Sequence, residues 1–250
     1  MSGGHVWRIA LRINRQIRRD PRLIVFSLGA PVVLILLLKW VIDSLPSLQR
    51  LGVEVSDYAV PVAAFFIHFI TYVLSTIALI RDRSSGTMAR MFVSTYTRSE
   101  IVIGYLLGYS LLASLQALIT LGLIGWLFEL DLLPDLGPIL ATFLALAVVS
   151  VALGLFVSSL ARTEGQIFPF IPLLIVPSLL LSDVVIPLDT LSDPLQAVAR
   201  LVPLYWAEDV IQGILNRGET FSEVLPSFAG LLVFGAALVW LAGLTLKERD

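Results

Sequence analysis

Long charge-free runs of apolar residues alternate with short polar segments along most of this chain of 250 residues. The hydrocarbon core of a membrane is about 30 Å thick, and a helix of about 20 apolar residues spans it. The pattern therefore predicts an all-α integral membrane protein. Six transmembrane helices are predicted, at 22–41, 58–80, 99–128, 138–161, 166–187 and 223–246.

The segment before the first of these helices has a different pattern, in which apolar and basic residues alternate at helical spacing. One face is apolar and the other is basic, with Val6, Ile9, Ile13 and Ile17 against Arg8, Arg12, Arg15 and Arg19. We expect an interfacial amphipathic helix at 5–20, with its apolar face among lipid headgroups and its arginines against anionic lipid or an acidic partner. The alternative is a cleaved signal peptide, but the following apolar run is too long and lacks a small-residue cleavage site.

Local signals predict where several helices begin. They are Asp20-Pro21 for the first transmembrane helix, the capping boxes Thr97-x-x-Glu100 and Thr220-x-x-Glu223 for the third and the sixth, and Ser192-Asp193-Pro194 for a short helix. Within the polar segment 81–98, Ser84 and Ser85 are expected to cap a short surface helix at 86–93. With another short helix at 204–215, the pattern predicts short extracytoplasmic helices between transmembrane helices five and six.

A polar stripe runs along the second transmembrane helix. It consists of His68, Thr71, Tyr72, Ser75 and Thr76. Polar groups inside the hydrocarbon need protein or water partners, so this face avoids lipid. Two interpretations remain open, namely hydrogen bonding between helices and the lining of a transport route.

Two further helices carry packing signals. In the third helix, Gly104 and Gly108 are four residues apart and allow another helix to approach closely, which we expect within the chain rather than in a dimer. The fifth helix contains Pro169, Pro172 and Pro177, which predict a kinked or broken helix. Broken helices recur at transport routes, and kinked packing alone is the alternative.

Composition and charge support this class of protein and give it an orientation. The chain is 57% hydrophobic and 14% charged, with a mean hydropathy of +0.90, which is far from soluble composition. Ten arginines lie within 8–22 and 81–98. Because basic residues are retained on the cytoplasmic side, both termini and 81–98 are predicted to be cytoplasmic. The basic residues lie beside membrane helices, so no nucleic-acid partner is expected.

Several kinds of chemistry are excluded by residue content. The sequence has no cysteine and two histidines, His5 and His68, so neither a disulfide nor a zinc site is expected. Its two lysines, Lys39 and Lys247, each follow a leucine, which excludes the phosphate loop G-x-x-x-x-G-K-[ST]. We therefore expect a non-catalytic chain that holds no metal or cofactor.

Two stretches resemble the membrane subunits of ABC exporters of the ABC-2 type. The first, from Arg81 to Tyr109, contains R-D-R-S-S-G-T-M-A-R-M and T-R-S-E-I-V-I-G-Y-L-L-G-Y, where the family has R-E-R-x-x-G-T-x-x-x-L and then E-I-x-x-G-K. The second, from Leu153 to Trp206, contains G-L-F-V-S-S-L-A-R-T, L-S-D-V-V-I-P-L and L-V-P-L-Y-W. Asp82 replaces the usual glutamate, and Ser182-Asp183 replaces a frequent Ser-Gly.

The resemblance implies a single ABC-2 type transmembrane domain over 1–250, in the inner membrane of a bacterial or archaeal cell. Such a permease works with a separate ATPase subunit, which binds ATP and Mg²⁺, and with a second permease copy or homologue. It also implies that the short helix in 81–98 is a coupling helix that contacts the ATPase. The residues implied in coupling are Arg81, Asp82, Arg83, Gly86, Thr87, Met88, Met91 and Phe92. A merely solvated loop is the alternative.

The candidate substrate route is rich in aromatic residues, which suit an amphipathic drug or a lipid-like compound. The residues assigned to it are Phe65, His68, Tyr72, Phe168 and Phe170. Two other functions remain open. One is a proton-coupled secondary transporter or small channel that uses His68 and Asp183, and the other is an integral membrane enzyme of lipid metabolism.

Overall fold

The structure is a computed structural model that describes residues 3–44, 55–93, 96–129, 135–161, 163–186 and 188–245. Its regular elements in these ranges are helical. They are α1 (Gly3–Arg18), α2 (Pro21–Asp43), α3 (Val55–Ser84), α4 (Thr87–Val93), α5 (Arg98–Leu127), α6 (Leu136–Leu160), α7 (Phe170–Leu180), α8 (Asp193–Ala199), α9 (Pro203–Leu215) and α10 (Phe221–Thr245), with 3-10 turns at Glu164–Ile167 and Leu188–Thr190.

Five helices are long and apolar enough to cross a membrane. Their candidate spans are Pro21–Val41, Tyr58–Ser84, Arg98–Leu127, Leu136–Leu160 and Phe221–Thr245. These agree with five of the six predicted spans to within four residues at each end, except that Leu246 lies outside the described residues. The structure therefore confirms an all-helical chain with multiple candidate membrane spans.

The predicted fifth span, 166–187, is not one continuous helix. A 3-10 turn comes first, and α7 then has 11 residues, which corresponds to about 16 Å of helix. Pro169 precedes α7 and Pro177 lies inside it, so α7 loses a backbone hydrogen bond at Pro177. The chain then bends, Asp183 has a φ of 67°, and Pro187 lies outside the described residues. The prolines break this segment, as their positions predicted, and 166–187 as a membrane crossing stays a prediction.

The second predicted span ends later than expected. Helix α3 continues to Ser84, so Arg81, Asp82 and Arg83 lie in its last turn and not in a loop. Ser84 and Ser85 therefore do not cap the next helix. Gly86, with a φ of 70°, makes the turn into α4, and its carbonyl accepts the first backbone hydrogen bond of that helix, from Arg90.

Three of the four predicted helix starts are confirmed by their hydrogen bonds, and α8 begins after Ser192 as predicted but without a side-chain cap bond. The backbone N–H of Thr97 donates to Glu100 at 3.0 Å, and the Thr97 hydroxyl accepts from the Glu100 N–H at 3.3 Å. The N–H of Thr220 donates to Glu223 at 2.7 Å. The Asp20 carboxylate accepts from the N–H of Leu23 at 3.1 Å. These caps depend on neighbours in sequence, which is why the pattern predicted them.

Polar contacts bring one set of helix ends together. Asp20, before α2, pairs with Arg81 at the end of α3 at 3.6 Å. Arg83 donates to the carbonyl of Ser158 in α6, and the hydroxyls of Ser159 and Thr245 lie 2.6 Å apart. One end of the bundle thus consists of the starts of α2 and α5, the ends of α3, α6 and α10, and the helices α1 and α4. We call it the basic end, because the ten arginines of 8–22 and 81–98 lie there.

Exposed tryptophans mark both ends of the bundle. Trp7 and Trp240 are exposed near the basic end, whereas Trp40 and Trp126 are exposed near the opposite end. Tryptophan prefers the two membrane–water interfaces, where its ring is apolar and its N–H remains hydrated. The two positions agree with a membrane that crosses the bundle between them.

Helices α3 and α6 form the centre of the bundle. Both have more buried residues than the other candidate spans. Their backbones approach at Gly154 of α6, where an added Cβ would overlap the hydroxyl group of Ser75 and lie 3.1 Å from the hydroxyl oxygen of Thr76. The small residue is thus required for this contact.

Helix α1 is amphipathic, as predicted, but its apolar face lies on α5 and not among lipid headgroups. Val6, Ile9, Ile13 and Ile17 are buried in this contact. An added Cβ at Gly104 would lie 2.6 Å from Cβ of Ile9, and one at Gly108 would lie 2.7 Å from Cβ of Ile13. The predicted packing role of the two glycines within the chain is therefore confirmed. Because the contacts advance together along both helices, α1 and α5 run in the same direction here.

We predict that Gly108→Ala destabilises the protein, because the new methyl group would overlap Ile13, and overpacking of this kind costs about 1–3 kcal/mol. Gly122→Ala is the control on the same helix. Nothing lies within 4 Å of a Cβ at Gly122, so that variant should keep its stability or gain up to about 1 kcal/mol of helix propensity. Thermal unfolding in detergent measures both, and equal midpoints would contradict the docking of α1 on α5.

Candidate functional site at the basic end

A buried carboxylate joins three helices at the basic end. Asp82, in the last turn of α3, is 4% exposed. It accepts hydrogen bonds from Gln16 at 2.7 Å, from the Tyr105 hydroxyl at 2.9 Å and from Arg12 at 3.3 Å. Gln16 and Arg12 belong to α1, and Tyr105 belongs to α5. The carboxylate therefore fixes α1 against α3 and α5.

Arg12 and Tyr105 also contact each other. Arg12 donates to the Tyr105 hydroxyl at 2.8 Å, and its guanidinium carbon lies 5.5 Å from the centre of the tyrosine ring. The hydroxyl thus accepts from Arg12 and donates to Asp82. Burial acts to lower the pKa of Arg12, but Tyr105 and Asp82 outweigh it and raise that pKa above its ordinary value. Arg12 remains a cation in this network.

Two of the predicted roles change with this geometry. Asp82 was expected to contact an ATPase. It is buried instead, because its carboxylate accepts hydrogen bonds from Arg12 and Gln16 of α1. Arg12 was expected to face lipid or a partner with Arg8, Arg15 and Arg19. It turns instead toward Asp82, whereas the other three are exposed.

A second contact holds the first turn of α1. His5 Nδ1 lies 3.3 Å from the carboxylate of Glu100, and the His5 ring packs edge-on against Tyr96 at 4.9 Å between centroids. Glu100 is 2% exposed and is also the last residue of the capping box. The same carboxylate thus caps α5 and positions α1.

A cavity of about 1110 Å³ opens beside the Asp82 network, between α1, α2 and α3. Six arginines line it, namely Arg8, Arg12, Arg15, Arg19, Arg22 and Arg81. Among the described lining residues the one acid is Asp20, which already pairs with Arg81. Most of the remaining wall is apolar, so the cavity combines strong positive charge with hydrophobic surface.

The short helix α4 presents part of its surface to solvent. Met91 was expected to contact the ATPase. It is instead buried in the hydrophobic core, so this side chain packs inside the chain. Val93 is 87% exposed, and Arg90 and Thr87 are also accessible. The side chains of Met88 and Phe92 lie outside the described residues, and their coupling role stays a prediction.

The model of the ABC-2 type transporter family matches residues 5–216. The chain belongs to the ABC-2 type transporter family. The match covers α1 to α9, and with them the Asp82 network, the cavity and α4.

Several permeases are identical to this ABC-2 family member at 27–28% of the aligned positions. The linearmycin resistance permease protein LnrN of Bacillus subtilis is 28% identical over 198 residues, which are 78% of this chain and 51% of LnrN. The probable multidrug ABC transporter permease YbhR of Escherichia coli is 27% identical over 66% of this chain and 45% of YbhR. The inner membrane transport permease YhhJ of Escherichia coli is 27% identical over 73% of this chain and 49% of YhhJ. The chain spans about half the length of these relatives.

Within this ABC-2 domain, the polar stripe of α3 makes bonds between helices and within its own backbone. His68 lies 2.8 Å from the Ser150 hydroxyl of α6, and that hydroxyl donates to the carbonyl of Leu146. Nδ1 of His68 is therefore the donor to Ser150. Thr71 donates to Gln116 of α5 at 3.2 Å. These bonds support the first interpretation of the stripe, which is hydrogen bonding between helices.

The predicted route residues do not share one environment. Phe65, His68 and Tyr72 are buried inside the bundle, whereas Phe168 is 70% exposed just before α7. Phe170 is half-buried. None of the five lines the cavity at the basic end. Their role in a route stays a prediction.

Glu208 is a site residue that the sequence did not reveal. It lies in α9 with no exposed surface, and both carboxylate oxygens lack a hydrogen-bond partner within the described part of the chain. Burial raises the pKa of Glu208 well above its ordinary value, and the charge of Asp183 raises it further. The folded protein therefore favours the neutral form of Glu208 more than the unfolded chain does. Asp183 itself accepts from the N–H of Leu188 at 3.0 Å.

The sequence also missed Gln16 and Tyr105 as members of the basic-end site. The four-residue step from Arg12 to Gln16 places both on one helix face, which was a usable signal. Nothing in the sequence connected that face to Asp82 or Tyr105, because the contacts join residues that are 66 to 93 positions apart.

We predict that Asp82→Asn lowers the free energy of unfolding by about 2 kcal/mol. Loss of one partner from a fully buried pair costs about 3–5 kcal/mol, and the Arg12 side chain here is 34% exposed, which screens part of the charge. Asp43→Asn is the control, since its pair with Lys39 is exposed and should contribute less than about 0.5 kcal/mol. Similar unfolding midpoints for both variants in detergent would contradict the role of Asp82.

We predict that Glu208 makes stability depend on pH. The pKa of Glu208 is about 4.5 in the unfolded chain and well above this in the folded protein. The free energy of unfolding is therefore largest below about pH 4.5 and falls as the pH rises toward the folded pKa. Glu208→Gln should raise the unfolding midpoint at about pH 7.5 and change it little at about pH 5. Glu129→Gln, at an exposed position, is the control. A shift for Glu208→Gln that is equal at both pH values would overturn this assignment.

Proposed function

We propose that this chain is the permease subunit of an ATP-driven ABC exporter, which forms a translocation path and couples to a separate ATPase. The observation that carries the proposal is the family match over 5–216. The sequence contains no phosphate loop, so the energy for transport comes from a partner chain that binds ATP and Mg²⁺.

The basic end is the cytoplasmic side in this proposal. Its ten arginines support that orientation, because basic residues are retained inside during insertion. The opposite end carries the exposed acid Glu129 and the pair of Asp209 with Arg217. A permease in this orientation lies in the inner membrane of a bacterial or archaeal cell, with both termini in the cytoplasm.

The chain crosses the membrane six times in this proposal. Helix α6 ends at the basic end, and α10 must begin at the opposite end because Thr245 returns to the basic end beside Ser159. The chain between Leu160 and Phe221 therefore passes from one end to the other. The apolar segment Gly165–Leu180 and the bend after it are the part of the chain that provides this crossing. Helices α8 and α9 then lie on the outer side.

Coupling takes place through α4 and the end of α3. Arg81 and Arg83 tie this region to α2 and α6, so a force on α4 reaches both helices. The exposed residues Val93 and Arg90 and the half-buried Thr87 face the ATPase, and the predicted coupling role of Met88 and Phe92 belongs to the same contact. Gly86 permits the turn that orients α4.

Two permease copies enclose the path in this proposal, and the exported compound is an amphipathic drug or a lipid-like molecule. The names of LnrN and YbhR, which refer to linearmycin resistance and to multidrug transport, support that class of compound. Phe168, exposed beside α7, and Phe170 are accessible to a second copy or to substrate. Phe65, His68 and Tyr72 support the path from inside the bundle.

We predict that Val93→Asp weakens the association with the ATPase partner, because a charge enters an apolar contact. Truncation of an interface anchor costs about 2 kcal/mol or more, so the affinity should fall by about tenfold or more. The measurement is the ATPase retained per permease in purified complexes, together with transport into vesicles.

Val198→Asp is the matched control for this experiment. Val198 is also an exposed valine on a short helix, but it lies in α8 on the proposed outer side. It should retain the ATPase and transport normally. Equal retention in both variants would contradict coupling through α4, and the absence of any associated ATPase would contradict the exporter itself.

A further inference from the structure

We propose that the cavity between α1, α2 and α3 binds one anionic phospholipid, with the lipid phosphate among its arginines and the acyl chains along its apolar wall. This inference concerns binding by the permease alone and does not depend on an ATPase or on transport.

The charge of the cavity supports an anionic ligand. Six arginines and one aspartate line it, and the aspartate is already paired with Arg81. Arg12 is bonded to Asp82. Arg8, Arg15, Arg19 and Arg22 have no ion pair to any described residue. These four guanidinium groups can therefore bind an anionic ligand, and planar guanidinium groups bind phosphate through paired hydrogen bonds.

The apolar part of the wall selects a lipid over a soluble anion. Leu11 and Phe26 are exposed, and Leu74 and Ile77 continue the apolar surface along α3. Phe26 lies in the first candidate span and Leu74 and Ile77 in the second. An acyl chain placed there would cover apolar surface that the protein leaves open.

Size and position agree with this occupant. A volume of about 1110 Å³ lies just above the range of about 300–1,000 Å³ for small-molecule pockets. The arginines come from α1 and from the starts and ends of membrane helices, which is where headgroups lie. An acidic segment of a protein partner would use the charge but not an apolar wall within the membrane spans.

The test measures lipid binding to the purified permease in detergent, by native mass spectrometry and by thermal shift. The probes are phosphatidylglycerol, phosphatidylcholine with the same acyl chains, and inorganic phosphate. We expect phosphatidylglycerol to bind as a single copy and to raise the unfolding midpoint more than the other two. Arg15→Gln and Arg19→Gln should each weaken this binding by about tenfold.

Arg18→Gln is the matched control. Arg18 is an exposed arginine of the same helix that does not line the cavity, so its removal alters the net charge equally and should leave the affinity unchanged. Unfolding midpoints without lipid show whether each variant is folded, and Arg15 and Arg19 have no described ion pair to lose.

Four results would overturn the proposal. Equal binding of phosphatidylcholine and phosphatidylglycerol would remove the anionic selectivity, and equal losses in Arg15→Gln and Arg18→Gln would show only general attraction to negative charge. Saturation of the site by inorganic phosphate would indicate a soluble anion. If lipid binding were unchanged while ATPase retention fell in Arg15→Gln, the cavity would be a protein-docking surface.

Discussion

A carboxylate that is buried away from water needs hydrogen-bond donors from the protein. The helices of the basic end pack so that Asp82 has these donors. The residue needs donors from outside its own helix, and it obtains them from α1 and α5. Helix α3 therefore continues one turn beyond its apolar span, and α1 must lie along α5. An unpaired carboxylate at this depth would cost several kcal/mol, so the three helices form one unit.

The same requirement organises the interior of the bundle. His68 and Thr71 occupy positions where hydrocarbon would offer no partner, and α5 and α6 provide Gln116 and Ser150 for them. Gln116 also accepts from Ser27 at 3.1 Å, which adds α2. Polar residues in these spans thus specify which helices are neighbours. Apolar character alone specifies only that a helix lies in the membrane.

The sequence predicted what depends on local chemistry. Capping at Thr97, Thr220 and Asp20 needs only residues three positions apart, and long apolar runs define spans by length alone. The predictions failed where distant residues decide. The end of α3 and the docking of α1 both follow from Asp82, and no local pattern connects Asp82 to Gln16. The 166–187 span was predicted to be irregular from its prolines, but how far the helix would shorten depends on packing that a sequence pattern does not contain.

The family relationship and the geometry inform different parts of the molecule. The match over 5–216 carries the general class of transporter, whereas only the structure separates Met91, which packs inward, from the exposed Val93. Glu208 needed the structure as well, because an acid in a mixed polar and apolar segment gives no sign that it is buried.

The contact at Gly154 has a consequence for how this chain can move. A rotation of α3 or α6 about its own axis would carry a larger side chain into the place where Ser75 and Thr76 now meet bare backbone, so the two helices can neither roll nor slide past one another freely. They serve as a fixed hub. The outer helices α2 and α10 have the lowest buried fractions among the candidate spans, so a rearrangement of the bundle would break the fewest packing contacts at these two helices.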